Sequence, residues 1–405
     1  MEKKDMRVVS ADMIRKDLER WIESKVVVEC KDVVECKDVA ECKDGVEISC
    51  PDMQSKVGGK KDMRVLSDDI IRKHLQTWKA VRVNQMAFQM LERGEVNVPK
   101  RLIQKFDGFP GTSLFKPCSF PGDEGAFGIK MIHVRPDNGP RGLPTTPATI
   151  MLFDKLTGAP ECLMNGTYLT ALRTAAGSAV ATEKVSREDS SNLVVFGAGL
   201  QGEAHIKTIC CVRAIRSVTI INRGEKRAAE LASQLTSDLA GMVRNEAGDV
   251  LGDVPTFSVV TTAETAKVED ACRQADIVCT TTGSAEPLFC GSWLKDGAHV
   301  NAVGSYQPHT TELDVETVGR CRDLVIDTAD AWEAGDLKFA LEAGAVEKSQ
   351  AITLGALCLG EKPQSKATGT ISLFKSVGTA AQDMSTAALA FQDCSEQDLG
   401  SSVEF

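Results

Sequence analysis

The pattern of apolar and polar positions differs between two parts of this chain, and each part predicts a different kind of sheet. Between residues 98 and 158, short apolar stretches such as FGIKMIHV alternate with Pro and Gly turns, which is typical of an antiparallel sheet with hairpins. From residue 193 onwards, short apolar runs alternate with helix-compatible segments, which predicts a doubly wound parallel sheet. The pattern therefore predicts an α/β protein.

The segments around these sheets have recognisable boundaries. Met63–Leu66 is predicted to be a strand, and Ser67 to cap a helix over Asp68–Trp78. A second helix is predicted over Val83–Glu92, ending at Gly94. The remaining predictions are helices at Leu169–Lys184, Gly224–Leu239 and Ala263–Arg273, strands at Leu193–Phe196, Val218–Ile221, Phe257–Thr261, Ala275–Thr280, His299–Val303 and Leu324–Asp327, and a final strand, glycine turn and apolar helix within residues 371–391 that packs on the first domain.

The string VVFGAGLQGEAH, Val194 to His205, has the G-x-G-x-x-G spacing at Gly197, Gly199 and Gly202. A strand precedes it and a helix follows it. Such a turn lets the backbone approach a pyrophosphate, and the helix start offers N–H groups to the phosphates. We therefore predict that the three glycines and the helix start bind a dinucleotide, and that the end of the second strand binds its ribose. The predicted residues are Gly197, Gly199, Leu200, Gln201 and Gly202 at the turn, and Asn222 and Arg223 at the strand end.

The N-terminal region contains a duplication. Residues 3–21 recur at 60–78 with 13 of 19 positions identical, and a six-residue reiteration places cysteines at Cys30, Cys36 and Cys42. Metal sites usually pair cysteines more closely, so no metal is expected. Residues 1–59 are predicted to be a duplicated, disordered leader with a low-complexity linker.

Composition limits the class of protein. The chain has 405 residues, 42% of them hydrophobic, and a net charge of −10, which argues against a nucleic-acid-binding surface. No apolar run is long enough to span a bilayer, and the first residues do not resemble a secretory signal. The 14 cysteines are scattered through apolar segments, so reduced core thiols in a cytoplasmic protein are expected rather than disulfides.

Several strings together resemble the ornithine cyclodeaminase/mu-crystallin family, from about Met63 to about Phe391. The strings are VPKR, FGIK, LTALRTAAGSA, VVFGAGLQGEAH, HVNAVGSYQPHTTELD and LFKSVGTAAQD, in that order. The resemblance implies a Rossmann dinucleotide-binding domain over residues 185–335. It also implies an α+β substrate-binding and dimerisation domain built from both chain ends, residues 60–184 and 336–405, in a homodimer.

The resemblance also suggests how a small amino or imino acid is held. It places Arg101, Lys130 and Arg173 at the substrate carboxylate, and arginine offers a planar fork for such a group. If Lys130 is buried in its apolar strand, its lowered pKa suits proton transfer. Residue types alone leave other roles open: Lys130 could face solvent at a sheet edge, Arg173 could form a structural ion pair, and Lys100 could replace Arg101.

One departure from the family concerns catalysis. The cyclodeaminases carry an aspartate after two glycines and use it as an acid/base, whereas here the string is Gly304-Ser305-Tyr306. A tyrosine can donate a proton but is a poor base near neutrality. Tyr306 is therefore expected to be either a proton donor or an aromatic wall beside the nicotinamide, and ornithine cyclisation is in doubt.

A second departure concerns the nucleotide. NAD-specific folds usually place an acid at the end of the second strand, whereas this chain has Asn222 and Arg223. Arginine suits a 2′-phosphate, so NADP(H) is favoured over NAD(H), unless Arg223 is a solvated turn residue. Further cofactor contacts are expected at Thr281, Thr282, Gly304, Ser376 and Gly378.

These features favour an NAD(P)-dependent oxidoreductase that transfers hydride at the α-carbon of a small amino or imino acid. Ketimine reductases and amino-acid dehydrogenases are the family activities of this type. Two alternatives remain: an ornithine cyclodeaminase that forms proline and ammonia, and a crystallin-like protein that binds NADPH or another ligand without turnover.

Overall fold

The computed structural model describes residues 62–108, 111–122, 125–363 and 369–404, and residues 63–403 form one compact unit. The duplicated leader and its cysteines lie outside the described residues. The strands are β1 Met63–Leu66, β2 Leu102–Lys105, β3 Thr112–Ser119, β4 Phe127–Val134, β5 Ala148–Phe153, β6 Pro160–Asn165, β7 Asn192–Phe196, β8 Ser217–Asn222, β9 Thr256–Thr261, β10 Ile277–Thr280, β11 His299–Ala302, β12 Cys321–Ile326, β13 Ala351–Thr353, β14 Ile371–Lys375 and β15 Ser401–Val403. The α-helices are α1 Asp68–His74, α2 Thr77–Glu92, α3 Thr167–Val185, α4 Leu200–Val212, α5 Glu225–Leu239, α6 Thr265–Gln274, α7 Val315–Gly319, α8 Gly335–Glu342, α9 Leu354–Cys358 and α10 Ala380–Glu396.

The first sheet has seven strands in the order β15-β1-β6-β5-β4-β3-β2. Its pairs are antiparallel except β1 with β6, so the hairpin pattern predicted for residues 98–158 is confirmed. Side chains alternate between the two faces of each strand. Along β5 this gives strictly alternating buried and half-buried positions, and α10 and α3 pack against the buried face.

The second sheet has eight parallel strands in the order β13-β12-β14-β11-β10-β7-β8-β9. The predicted doubly wound sheet is therefore confirmed. The chain runs from β7 through β8 to β9 on one side and returns to β10 on the other. The gap between the carboxyl ends of β7 and β10 is thus the topological switch point, where such sheets bind ligands.

Helix α3 joins the two sheets into one core. Its alanine-rich sequence is buried along most of its length, because small side chains let α4, α2 and the sheets approach closely. The largest apolar cluster extends through it, from Ile150 of the first sheet to Val195 and Ile220 of the second.

Two predicted helix boundaries are wrong. The helix predicted over Asp68–Trp78 ends at His74, and the next one begins at Thr77 rather than Val83. Leu75 and Gln76 are extended between them. This bend allows both Leu75 and Trp78 to be buried. The spacing of apolar residues in the sequence does not reveal the bend. Ser67 caps the first helix as predicted, by accepting from the Ile70 N–H.

The course of residues 336–405 also differs from the prediction that all of them belong to the first domain. Strands β13 and β14 lie in the parallel sheet, with β14 between β11 and β12. Its run ISLFK is completely buried, as expected of a strand covered on both faces. Helix α9 already packs on α2 before β14, and after β14 the chain crosses back, so that α10 packs against α2, α3 and the first sheet.

Candidate functional site: a glycine turn beside a buried cation cluster

The glycine turn lies between β7 and α4. Gly197 has φ +109°, and a Cβ on Gly202 would lie 2.1 Å from the Gly197 carbonyl oxygen. A Cβ on Gly199 would instead meet nothing closer than Arg227 Nη2 at 3.5 Å. The first glycine therefore makes the turn, the third allows close helix packing, and the second leaves space above the helix start. This geometry fits a dinucleotide pyrophosphate.

The neighbouring loop after β10 borders this turn. The Thr281 hydroxyl donates to the Phe196 carbonyl at 2.8 Å, and the N–H and hydroxyl of Thr282 donate to Glu312 Oε1 at 2.6 and 2.8 Å. The N–H of Gly304 donates to Glu312 Oε2 at 2.8 Å. Burial, and then the nearby Asp336, raise the pKa of Glu312. Glu312 thus fastens two loops at the switch point, and the threonine side chains are engaged within the protein.

The predicted ribose-binding position contains no acid. Asn222 ends β8; its side-chain oxygen accepts from the Ala198 N–H at 3.3 Å, and its amide donates to the Gly224 carbonyl at 2.8 Å. Asn222 therefore links the glycine turn to the turn after β8. Arg223 is exposed, and Arg227 lies one helical turn further on, beside Gly199. One arginine therefore follows in sequence the position where an NAD-specific fold has a carboxylate, and a second lies beside the glycine turn.

A buried cluster of charges lies where the first sheet meets α3 and α10. Asp383, only 1% exposed, is in the first turn of α10. Its Oδ1 lies 2.5 Å from Lys130 Nζ and 2.7 Å from Arg173 Nε, and its Oδ2 lies 3.3 Å from Lys116 Nζ. Among the described residues these three cations form ion pairs with no other carboxylate. The formal charge of the cluster is therefore +3 − 1 = +2.

Two atoms of this cluster lack aligned hydrogen bonds within the described part of the chain. Arg173 Nε lies close to Asp383 without the geometry of a hydrogen bond, and Asp383 Oδ2 accepts none. The other Arg173 contact is long, 3.4 Å from Nη1 to Gln382 Oε1. Buried polar groups are usually fully paired. The guanidinium of Arg173 thus retains donors for an anionic ligand.

Burial and charge shift the pKa values of the cluster in opposite directions. Burial lowers the pKa of Lys130 well below its usual value of 10.5, although Asp383 opposes the shift, and it lowers the pKa of Lys116 in the same direction. Burial alone would raise the pKa of Asp383, but the charges of Arg173, Lys116 and Lys130 hold it below its usual range. The carboxylate is therefore a weak base, and the Lys130 ammonium is an unusually good acid.

The cations form a row across two adjacent strands and the residue that precedes a third. Lys116 of β3 is directly opposite Lys130 of β4. Leu102 of β2 is opposite Phe115, so the antiparallel register places Arg101 opposite Lys116. Like charges directly opposite each other destabilise a sheet. This row therefore requires anions, and Asp383 supplies one.

The remaining predicted substrate residue, Arg101, lies at the edge of this row. It is partly exposed and pairs with the exposed Asp330 at 2.9 Å, while Lys100 beside it is exposed. Lys130 has zero exposure in a strand with neighbours on both sides, so the alternative of a solvent-facing edge lysine is wrong.

The turn after β14 connects the parallel sheet to the cluster. Asp327 accepts hydrogen bonds from the Ser376 hydroxyl at 2.7 Å and from the Gly378 N–H at 2.6 Å. The Gly378 carbonyl accepts from Lys116 at 3.2 Å. Gly378 has φ +78°, and a Cβ there would lie 2.2 Å from Arg173 Nη1. Of the two residues predicted as cofactor contacts, Gly378 thus lies against the cation cluster, and Ser376 is bound to Asp327.

Tyr306 is on the loop after β11 and is 40% exposed. Its hydroxyl accepts from Gln307 Nε2 at 3.3 Å, and burial of the rest of the ring raises its pKa. In the described part of the chain, no hydrogen bond joins it to the cation cluster. Its predicted role as proton donor or aromatic wall remains a prediction.

Sequence reasoning missed three residues of this site. Asp383 was signalled by an acid in the first turn of an otherwise buried, alanine-rich stretch of α10, and Lys116 by its place in a strand that pairs with the strand of Lys130. Glu312 carried no local signal, because its partners come from β10 and from the loop after β11. Within the described ranges no group of residues suits a metal ion, and no helix is long and apolar enough to cross a membrane.

The fold and the site together define a class: proteins in which a Rossmann-type sheet with a glycine turn adjoins a second sheet that carries buried cations. The chain belongs to the ornithine cyclodeaminase/mu-crystallin family, whose model matches residues 60–398. The resemblance predicted from the motifs is therefore confirmed.

Several relatives are similar over almost their whole length. The delta(1)-pyrroline-2-carboxylate reductase of Bacillus cereus is 30% identical over 346 residues, which are 85% of this chain and 100% of the relative. The solved structure of the Thermococcus litoralis delta(1)-pyrroline-2-carboxylate reductase, in complex with NADH and L-proline, matches with a TM-score of 0.75 and 31% identity, covering 84% of this chain and 100% of that chain. An archaeal alanine dehydrogenase dimer with bound NAD matches with a TM-score of 0.73 and 26% identity, covering 85% and 99%.

The glycine geometry predicts two different effects of the same substitution. Gly202→Ala should lower the free energy of unfolding by about 1–3 kcal/mol, because the added Cβ overpacks against backbone. Gly199→Ala should leave stability nearly unchanged, because its Cβ has space, and should weaken dinucleotide binding. Urea unfolding without cofactor and calorimetric titration with NAD(P)H measure the two effects. Equal destabilisation by both variants would contradict these roles.

The cluster predicts a pH-dependent contribution to stability. Asp383→Asn should lower the free energy of unfolding by about 3–5 kcal/mol at pH 7, because it leaves three buried cations without their carboxylate. The folded-state pKa of Asp383 is below its usual value of 3.8. The stabilisation is therefore complete above about pH 4 and is lost as the pH falls through the folded-state pKa.

Urea unfolding of both proteins at pH 7 and pH 3 measures this difference. The matched control is Asp330→Asn, which removes an exposed carboxylate from Arg101 and should change stability by less than about 1 kcal/mol. A cost for Asp383→Asn that is equally small, or that grows as the pH falls, would contradict the assignment.

Proposed function

We propose that this protein is an NAD(P)H-dependent reductase of small imino acids. The observation that carries the proposal is the buried cluster of three cations around one carboxylate, on the same molecule as a glycine turn that fits a dinucleotide. Its surplus positive charge suits the carboxylate of an α-imino acid. The proposal agrees with the activity named for the Bacillus cereus and Thermococcus litoralis relatives.

Within this proposal, Arg173 and Lys130 bind the α-carboxylate. Arg173 offers a planar set of donors that matches a carboxylate, and its guanidinium is held from behind by Asp383 and against Gly378. Arg101, being partly exposed, binds at the entrance. The Lys130 ammonium also lies 3.3 Å from Thr170 Oγ1, so its position is defined from two sides.

Reduction of an imine places a hydride on carbon and a proton on nitrogen, and a bound reduced nicotinamide supplies the hydride. Lys130 supplies the proton from Nζ, because burial makes its ammonium more acidic than an exposed one. A donor whose pKa approaches the working pH is the most effective. Tyr306 is the second candidate donor, and otherwise shields the site from water.

Ornithine cyclodeamination fits this site less well. That reaction needs a base for an amino group, and Asp383 is held ionised by three cations. A diamino acid also carries a second positive charge, which the net charge of +2 would repel. A ligand-binding protein without turnover would require that Lys130 has no chemical role.

For the cofactor we propose a preference for NADP(H) over NAD(H). Arg223 follows Asn222 in sequence and Arg227 lies beside Gly199, and Asn222 is occupied in holding two turns together. Guanidinium groups pair strongly with a phosphate. The solved structures of the relatives contain NADH or NAD, so NADP(H) would be a property of this chain.

We further propose that the chain forms a homodimer through the outer face of the first sheet. Opposite the buried row, that face carries partly exposed apolar side chains: Phe115, Pro117, Ile129, Met131, Met151 and Leu163. Their contiguous apolar surface is characteristic of a protein–protein interface. The archaeal alanine dehydrogenase relative is a dimer.

For location we propose the cytosol. Cysteines such as Cys210 and Cys279 are buried thiols, and burial raises the pKa of each to about 12. Inert, reduced core thiols are typical of a reducing compartment.

The direct test of function is loss of NAD(P)H absorbance with delta(1)-pyrroline-2-carboxylate. The wild type should oxidise NAD(P)H, and Lys130→Met should lower kcat by about 10²- to 10⁴-fold, because it removes the proton donor. The matched control is Lys105→Met on the exposed strand β2, which should retain full activity. Cofactor binding without turnover of any imino acid would contradict the proposal.

The cofactor preference is tested at Arg223. Arg223→Gln should raise the Kd for NADPH by about 10- to 100-fold, because a charge-assisted bond to the 2′-phosphate is lost, and should leave the Kd for NADH nearly unchanged. Calorimetric titration measures both. Arg273→Gln, exposed on α6, is the control. An equal loss for the two nucleotides would contradict a role at the 2′-phosphate.

A further inference from the structure

Lys116 is a buried cation for which the proposed reaction has no use. Its side chain is 8% exposed, and the described contacts of its ammonium are the Gly378 carbonyl at 3.2 Å and Asp383 Oδ2 at 3.3 Å. An ammonium has three hydrogens, and the described structure gives it one aligned hydrogen bond, to the Gly378 carbonyl, so its other donors are available to a ligand. Arg173 and Lys130 already provide two cations, which suffice for one α-carboxylate.

The position of Lys116 makes its additional positive charge unfavourable for stability. It faces Lys130 directly across the β3–β4 pair, and the extended register places Arg101 on its other side. Its pKa is lowered by burial first, with Arg173 and Arg101 contributing repulsion. A buried charge without a partner of its own is expensive. An apolar side chain would fill this position at lower cost, so the charge needs a ligand to compensate it.

The formal balance of charge gives the type of that ligand. The three cations exceed Asp383 by two positive charges, and one substrate carboxylate offsets one of them. A second carboxylate on the same substrate offsets the other. The row of cations also continues past Lys116 to the partly exposed Arg101, so a second anionic group would be met along the path to the surface.

We propose that Lys116 determines substrate specificity by binding a second carboxylate, so that the preferred substrate is a dicarboxylic imino acid. The inference rests on the proposed imino-acid reductase activity. In this arrangement Arg173 and Lys130 hold the α-carboxylate next to the C=N bond, and Lys116 holds the carboxylate at the other end of the carbon chain. Reduction then yields an acidic amino acid.

The experiment compares two imines that differ only in the distal group. 2-Oxoglutarate with ammonium gives a dicarboxylic imine, and 2-oxopentanoate with ammonium gives the monocarboxylic imine of the same chain length. The wild type should show a kcat/KM at least about tenfold higher for the dicarboxylic pair, since a charge-assisted hydrogen bond distinguishes them.

The substitution Lys116→Met tests whether this residue produces the preference. The ratio of the two kcat/KM values should fall by about 10- to 100-fold, and Lys116→Arg should retain most of it. Taking the ratio cancels any general damage to the site. Lys105→Met, exposed on the neighbouring strand β2, is the control and should leave the ratio unchanged. A wild type that prefers the monocarboxylic imine, or a ratio unaffected by Lys116→Met, overturns the inference.

A binding measurement separates this inference from the proposed function. Glutarate and pentanoate are unreactive analogues of the same two chains, and calorimetry on the NADPH-bound wild type measures their affinities. If no imine is reduced but glutarate binds at least about tenfold more tightly, the reductase proposal fails and the second carboxylate site stands. If imines are reduced but glutarate has no advantage, Lys116 has no such role.

Discussion

One buried carboxylate, Asp383, holds the substrate side of this molecule together. It is the common partner of Lys130 on β4, Arg173 on α3 and Lys116 on β3, elements distant in sequence. Without it, like charges would face each other across a sheet and inside a core. Because three cations meet one anion, the same arrangement that fixes α10 on the first sheet leaves positive charge for a ligand. The packing of α10 and the binding of an anionic ligand therefore depend on the same excess of cations over carboxylates.

The other half of the site is coupled to this cluster by a second set of buried acids. Asp327 holds the turn from β14 to α10, and that turn abuts Arg173 through Gly378. Asp336 pairs with Lys375, which also donates to the Ser305 carbonyl, next to Tyr306. The loops that border the dinucleotide position are thus fastened by Asp327 and Asp336 together with Lys375 at the end of β14.

Much of this was predictable from the sequence, and the failures have physical causes. The glycine turn and the two sheets followed from local patterns, because each depends on a period or a spacing within about 20 residues, and the family followed from several short strings in a fixed order along the chain. Arg173 and Lys130 followed from the resemblance. Lys116 and Asp383 were missed because their local signals are weak and their contacts depend on strand register and on the packing of α10, which are long-range. The bend at Leu75 and the insertion of β14 were missed for the same reason: tertiary packing, not local propensity, determines them.

The central claim is that the uncompensated charge around Asp383 binds the carboxylate of the substrate. A crystal structure of the protein with NADPH and an amino-acid product such as L-proline tests it most directly. The account predicts a product carboxylate within about 2.7–2.9 Å of both Arg173 and Lys130, with the α-carbon facing the nicotinamide. A product carboxylate that binds elsewhere, while Arg173 and Lys130 keep their contacts to Asp383 and make none to the product, would contradict it.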